Sequence, residues 1–205
     1  WILTERLTNP YVKGFYHKDV HYALPMEDLL NATLHEFINA DNQYMKLLKE
    51  GGVDNITNLV AIILRESVDD PDEILIRSDV RMPFERLSYT KRIKALSDLD
   101  IAKKFYIVYF FSCCKQLIFE KYAEAFTGDE KETVTTINSV GENYWEDVLT
   151  DVAETGVFGS YQEILNVPVH AFFQWLKKVS LKEKQKAKQE FQNIIKQHHK
   201  KFEKA

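Results

Sequence analysis

The residues of this 205-residue chain that could do chemistry are few and scattered. His17 and His21 lie four positions apart, the spacing at which two imidazoles on a helix share a metal ion, but neither the glutamate of an HExxH motif nor a third ligand accompanies them. His35 precedes Glu36 inside an apolar-periodic segment, where a polar pair at the core boundary is the simpler interpretation. The sequence therefore predicts no metal site.

Three residues with potentially nucleophilic side chains are consecutive: Ser112, Cys113 and Cys114. They fall inside the most apolar segment of the chain, where burial raises the pKa of a thiol and lowers its reactivity. The nucleophile elbow of hydrolases is absent, and the glycines at 51–52 and 156/159 lack the lysine and the spacing of a phosphate-binding loop. We therefore predict no catalytic residue, no cofactor and no enzymatic activity.

A cluster of acidic residues surrounds Pro71. Such a cluster could hold a hard cation, but the spaced ligand pattern of a calcium loop is missing. We interpret it as a solvated loop. Its members are Asp69, Asp70, Asp72 and Glu73.

Composition predicts that helices carry these residues. The chain is 45% hydrophobic and 28% charged, an ordinary globular balance that predicts a buried core. It has 7 Gly and 5 Pro against 13 Phe, 10 Tyr and 3 Trp, so turn-forming residues are scarce while large residues that need burial are abundant. We expect more than half of the chain to be helical, with no sheet larger than a hairpin. Because the first residue is Trp1 rather than Met, we also expect the natural chain to begin further upstream.

Apolar periodicity and capping residues divide the chain into helices. The first is predicted to start at Pro25 and to end at Gly51-Gly52, and the second to be capped by Asp54 or Asn55. The fold class that follows is all-α: a compact multi-helix bundle with a central hydrophobic helix and a basic C-terminal helical extension. Two short helices are predicted at 72–80 and 84–96, and a long one from Ser97 as N-cap through Phe126. The last three are predicted at 142–155, at 161–166 and from Pro168 into the tail. The helix at 161–166 opens with a capping box between Ser160 and Glu163.

The central helix is predicted from its apolar run, Phe105 to Cys114, which Lys115 ends. This run is about half of the ~20 residues that a membrane span needs, so we predict a buried core helix and no membrane segment. Neighbouring residues on a helix point about 100° apart, so we expect no disulfide between Cys113 and Cys114. Both thiols should be reduced, and at least one should be buried.

Charge separates the end of the chain from the rest. Residues 177–205 hold ten Lys and three Glu (+7), which leaves 17 basic and 28 acidic residues before them (−11). We therefore divide the chain into an N-terminal arm (1–24), a helical body (25–176) and a basic C-terminal helix (177–205). The basic helix either is a solvated face or meets something anionic: a nucleic acid, or an acidic protein surface such as another copy of this body.

The basic helix carries a thin apolar stripe at helical spacing, too sparse for an independent coiled coil but sufficient to dock on a partner. Its lysines and stripe residues are the candidate partner-binding residues. They are Lys177, Lys178, Lys182, Lys184, Lys186, Lys188, Phe191, Ile195 and Phe202.

A nucleic-acid-binding regulator is the alternative function. Residues 148–178 predict a helix, a glycine turn, a short helix and a final helix followed by lysines that could neutralise phosphates, as in a helix–turn–helix protein. Against this, arginine is absent after Arg92. The aromatic and leucine residues of the final helix also have the pattern of packing residues rather than of base-reading ones: Phe172, Phe173, Trp175 and Leu176.

Residues 145–176, WEDVLTDVAETGVFGSYQEILNVPVHAFFQWL, resemble the C-terminal pattern of small tail-assembly proteins of tailed bacteriophages. That pattern has a helix with a "VA" or "LA" step, a glycine-containing turn with an aromatic residue, a short helix and a closing helix that ends in "WL". The matching positions are Trp145, Val152, Ala153, Phe158, Ile164, Leu165, Trp175 and Leu176.

The resemblance implies a non-enzymatic phage structural or tail-assembly protein that acts through protein–protein contacts. Its partners would be other subunits of an assembly, including copies of itself. Its location would be the host cytoplasm during assembly or the finished virion. It does not separate a chaperone from a particle subunit.

Overall fold

The computed structural model describes residues 6–84, 86–125 and 144–202, without the side chains of residues 86–88, 194 and 196–202. It is 67% helical, which confirms the predicted compact multi-helix bundle. The α-helices of the described ranges are α1 (Leu34–Glu50), α2 (Val53–Ile63), α3 (Pro71–Arg77), α4 (Arg86–Leu96), α5 (Ile101–Lys121), α6 (Tyr144–Glu154), α7 (Tyr161–Leu165) and α8 (Val169–Phe202).

A small antiparallel sheet accompanies the helices, in the order β1 (Gly14–His17), β2 (Val20–Ala23) and β3 (Arg65–Glu66). The expectation that no sheet exceeds a hairpin is therefore wrong. After α2, Leu64 is extended, so the chain runs alongside β2 and pairs Glu66 with Tyr22. Tyr22 and the neighbouring Leu24 are buried, so the hairpin, which lies within the predicted N-terminal arm, packs on the body.

The first long helix starts later than predicted. The backbone at Asp28 and Leu29 has positive φ, which interrupts a helix, so residues 27–29 form only a 3₁₀ turn. α1 begins at Leu34, where the Thr33 hydroxyl accepts a hydrogen bond from the Glu36 N–H. It ends as predicted at Gly51 and Gly52, both in the positive-φ region that glycine tolerates.

Helix α5 is the predicted central hydrophobic helix. It starts at Ile101 because the carboxylate of Asp100, rather than Ser97, caps its first turn. It ends at Lys121 and a separate 3₁₀ turn follows at Ala123–Ala125, so the predicted continuation to Phe126 is wrong. Cys113 and Cys114 are both free thiols and both buried, as expected, and burial raises the pKa of Cys114 well above its usual range. The other buried residues of this helix are Lys104, Ile107, Phe110, Phe111, Lys115, Ile118 and Phe119.

An aromatic cluster around Phe37 of α1 forms the centre of the core. The Phe37 ring lies 6.2 Å from that of Phe111, 5.9 Å from that of Trp145 and 5.5 Å from that of Phe173, mostly in edge-to-face geometry. These contacts join α1 to α5, α6 and α8. Aromatic pairs of this kind stabilise a core by about 0.5–1.5 kcal/mol each beyond the burial of their area.

Four charged side chains are buried beside this core and pair with one another. Arg81 is fully buried, and Glu36, Arg65 and Asp79 are at most 6% exposed. An Nη2 nitrogen of Arg65 lies 3.0 Å from the carboxylate of Glu36 and 3.1 Å from that of Asp79, and Arg81 binds both carboxylates as well. Burial lowers the pKa of Arg65 to about 10, so both guanidinium groups are charged at neutral pH. We call this set the buried ion network.

Lys115 ends the apolar run of α5 in sequence, yet it too is buried. Its ammonium lies 2.5 Å from the carboxylate of Asp41, which also accepts a 3.0 Å hydrogen bond from the indole N–H of Trp145. This second polar cluster ties α1, α5 and α6 together.

Breaking the buried ion network should cost a large part of the stability of the fold, which for native proteins is about 5–15 kcal/mol. An Arg81→Met variant leaves Glu36 and Asp79 under-compensated in the interior, so the free energy of unfolding should fall by about 3–5 kcal/mol. The control is Lys46→Met, which removes an exposed ion pair between the Lys46 ammonium and the Glu50 carboxylate (4.0 Å). It should change the free energy of unfolding by less than about 1 kcal/mol. Urea unfolding followed by circular dichroism measures both, and equal stability of the two variants would show that the network is not desolvated.

The two thiols should react slowly with a soluble thiol reagent in the native protein, because both are buried and the pKa of Cys114 is raised. Unfolding in urea should make both react at once. Rapid stoichiometric labelling without denaturant would contradict the central position of α5.

Candidate interaction surface on the C-terminal helix

Helix α8 begins inside the body. The N–H of Val169 donates a 3.0 Å hydrogen bond to the carbonyl oxygen of Ala32, and the N–H of Leu34 donates a 2.9 Å bond to that of Val167. Pro168 precedes the helix, as the sequence predicts, and Ser160 and Glu163 form the predicted capping box of α7. The start of α8 is therefore fixed against the start of α1.

His170 in the first turn of α8 also bonds to two parts of the body. Its Nε2 lies 2.7 Å from the carbonyl oxygen of Asp28, so Nε2 donates, and its Nδ1 accepts from the Tyr122 hydroxyl at 3.0 Å. Burial lowers the pKa of His170, in agreement with this neutral tautomer.

The following residues pack α8 against the core. Phe172 and Phe173 are fully buried, and the Trp175 ring lies 5.3 Å from that of Phe158. These side chains are committed to packing, as the sequence predicts. The N-terminal turn of α8 is held against the body by Val169 and Phe172, and the preceding helix α7 has only five residues.

Helix α8 leaves the body near the 3₁₀ turn Ala123–Ala125. The ammonium of Lys177 lies 2.9 Å from the Glu124 carboxylate, and the Ser180 hydroxyl donates to the Glu124 carbonyl oxygen at 2.7 Å. The hydrogen bond from Lys177, with a smaller contribution from the charge of Lys184, holds the pKa of Glu124 below its usual value. Lys177 and Lys184 therefore lie on the side of α8 that faces the body.

From residue 181 to 193 every residue of α8 is exposed. The helix continues to Phe202, so about 22 residues, or about 33 Å at 1.5 Å per residue, extend beyond Ser180. Phe191 is 65% exposed and Ile195 41%. We call residues 181–202 the outer segment of α8.

The helical repeat sorts the candidate residues into two faces. Lys188, Phe191 and Ile195 follow Lys184 by four, seven and eleven positions, so they continue the side of α8 that faces the body. Phe202 has the same phase, although its side chain lies outside the described residues. On the opposite side lie Lys178, Lys182 and Lys186. The structure therefore brings only part of the predicted partner-binding set onto one face.

The other candidates from the sequence form no site in the described ranges. His17 and His21 lie on strands, where Nε2 of His17 is 3.1 Å from the Asp98 carboxylate and Nδ1 of His21 is 2.6 Å from the Ser67 hydroxyl. Their partners are thus separate, and no group of three potential metal ligands occurs among the residues described. No helix in these ranges is long and apolar enough to cross a membrane.

The helix predicted at 72–80 forms as α3, but sequence reasoning did not foresee that it would stay exposed. The acidic residues around Pro71 open the short helix α3, whose N-cap Asp70 accepts from the N–H groups of Asp72 and Glu73. None of its seven residues is buried, and Leu75 and Ile76 are 80% and 83% exposed. The available signal was three consecutive aliphatic residues, Ile74, Leu75 and Ile76, which point about 100° apart on a helix and so do not form one buried stripe.

Comparison of the chain with protein-family models, with curated proteins and with solved structures finds no match.

Stability should fall as the pH drops from about 7.5 to 5.5, because burial lowers the pKa of both His35 and His170. Each histidine binds a proton more readily in the unfolded chain, so acid favours unfolding below the ordinary histidine pKa of about 6.5. His170→Gln should make this loss smaller, and adding His35→Gln should make it smaller still. Urea titrations at several pH values measure the slope, and an unchanged slope would show that His170 is solvated.

Proposed function

We propose that this chain is a non-enzymatic assembly protein that binds another protein through the outer segment of α8, in a phage virion or tail-assembly complex. One observation supports this most directly: the side of α8 that lies on the body continues with Phe191 and Ile195 past the point where the body ends. A single aromatic and a single aliphatic residue at this spacing form a docking stripe rather than a core.

The rest of the molecule has the properties that such a role requires. The body is rigidly built, with two buried polar clusters and an aromatic centre, and it carries a charge opposite to that of the outer segment. Burial of Phe191 and Ile195 contributes a part of the binding free energy that salt does not weaken, while the lysines contribute a part that it does. The phage setting comes from the resemblance of residues 145–176.

Nucleic-acid binding is the competing function, because six lysines lie between residues 177 and 188. With the start of α8 enclosed, it would use phosphate contacts alone. Such binding has little dependence on the helix face and falls steeply with salt, with a log–log slope of about −0.9 for each phosphate neutralised.

Removing residues 181–205 should leave the body folded, since the contacts of Lys177 and Ser180 with Glu124 remain. The melting temperature should change by only a few degrees, whereas co-purification of partner proteins should be lost. Differential scanning calorimetry and mass spectrometry of purified complexes measure the two effects. A truncated chain that keeps its protein partners would contradict the proposed role of the outer segment.

A matched pair of charge reversals separates protein docking from DNA binding. Lys184→Glu with Lys188→Glu changes the face of Phe191, and Lys182→Glu with Lys186→Glu changes the opposite face by the same total charge. Protein association should fall at least tenfold for the first variant and little for the second. If instead both variants lose duplex DNA binding equally and the wild type binds no protein, the competing function is correct.

A further inference from the structure

Helix α3 presents an exposed apolar surface that suits the outer segment of α8. Leu75 and Ile76 are the two most exposed aliphatic residues of the described chain, and α3 buries no residue of its own. Exposed apolar residues on an element without a core function mark a surface that another molecule covers.

Helix α3 is held firmly although it is not buried. Its last residue, Arg77, pairs with Glu73 at 2.6 Å and also donates to the carbonyl oxygen of Arg81. The next residues, Asp79 and Arg81, belong to the buried ion network. The body therefore presents Leu75 and Ile76 on a fixed support, which lowers the entropy cost of binding.

The charge around this pair is negative. Asp72 precedes Leu75 by three positions and Ile76 by four, so it shares their side of α3, and Asp69 lies just before the helix. Both carboxylates belong to exposed residues. An apolar pair bordered by carboxylates is complementary to a helix face that carries Phe191 and Ile195 bordered by lysines.

Another acidic surface lacks this combination. The outer face of α6 carries acids, but the apolar residues of α6 are buried or half-buried, so it offers charge alone. These acids are Glu146, Asp147, Asp151 and Glu154.

We propose that the partner of the outer segment of α8 is a second copy of this chain, and that it docks on α3 of that copy through Leu75 and Ile76. This rests on the proposed function and names its partner. Within one chain both surfaces are exposed, so they do not contact each other, and the contact forms between copies. Residues 1–176 carry −11 and residues 177–205 carry +7, so association offsets charge that a single copy leaves unbalanced.

The contact joins two different surfaces. Two copies can exchange their outer segments reciprocally in a two-fold dimer, or copies can add head to tail, a heterologous arrangement, into a ring or a filament. In each arrangement one copy offers α3 and the other offers α8, and this asymmetry permits a complementation experiment.

The experiment uses two double variants of the full chain at exposed positions: Leu75→Ser with Ile76→Ser, and Phe191→Ser with Ile195→Ser. Sedimentation velocity should show the wild type associating at concentrations up to about 100 μM, where a micromolar Kd is populated. Each variant alone should be monomeric. Their equimolar mixture should regain a complex, because one copy still has an intact α3 and the other an intact α8.

Two controls separate the docking surface from general effects. Leu48→Ser with Val53→Ser removes two other exposed aliphatic residues (60% and 56% exposed) and should associate like the wild type. Asp69→Asn with Asp72→Asn should weaken association, whereas Asp147→Asn with Asp151→Asn, on the apolar-free face of α6, should have a much smaller effect. Circular dichroism verifies that every variant is folded.

The outcomes distinguish this inference from the proposed function. The second-copy inference is wrong if the α3 variant associates as the wild type does, or if the wild type is monomeric at every concentration. Neither result contradicts the proposed function, because the outer segment can still bind a different protein. If the mixture of variants fails to associate although each alone is monomeric and folded, the contact does not join α3 to α8. The proposed function itself is overturned by other results: the DNA-binding outcome of the lysine variants, or a chain without residues 181–205 that keeps its protein partners.

Discussion

The fold depends on a charge-balanced network in its interior. Two arginines and two carboxylates are removed from water together, and each charge has partners of the opposite sign within hydrogen-bonding distance. The cost of removing one member is high because the others then stay buried without compensation. Glu36 lies on α1, Arg65 on β3, and Asp79 and Arg81 follow α3, so one network sets how three separate parts of the chain meet. The N–H of Glu36 also donates the capping hydrogen bond to the Thr33 hydroxyl, so the network and the start of α1 are coupled.

This constraint explains how the molecule can carry α3, a helix that buries none of its residues. The residues after α3 enter the network, so α3 itself keeps its place without burying a side chain. Helix α8 is fixed to the body at its N-terminal end. There Val169, His170, Phe172 and Phe173 pack between α1, α5 and the 3₁₀ turn at residues 27–29. The outer segment can therefore project from the body without loss of the fold. Rigid anchoring with an exposed apolar face is the arrangement expected of a protein whose work is to hold others in place.

Electrostatics and apolar burial have different parts in such a contact. In the proposed contact, the opposite charges of body and tail would accelerate encounter and disfavour partners of the wrong sign, and salt would screen them beyond about 8–10 Å. The apolar residues give the contact its persistence. A face that combines both kinds of residue discriminates between a protein surface and a polyphosphate, since a polyphosphate would use the lysines of either face and neither Phe191 nor Ile195.

Local signals in the sequence determined much of the architecture. The caps at Ser160 and Glu163, the glycines at 51–52 and the apolar run of α5 fixed helices and ends, because capping and periodicity act over a few residues. The basic tail and its candidate residues were also visible as composition. Tertiary structure alone decided the start of α1, where the positive φ of Asp28 and Leu29 overrides an apolar stripe. It also decided the third strand, which pairs with β2 across more than 40 residues of sequence. It also decided which lysines of α8 share the face of Phe191 and that Leu75 and Ile76 stay exposed. Burial and pairing between residues far apart in the chain leave no local mark in the sequence, since they depend on which surfaces the folded chain brings together.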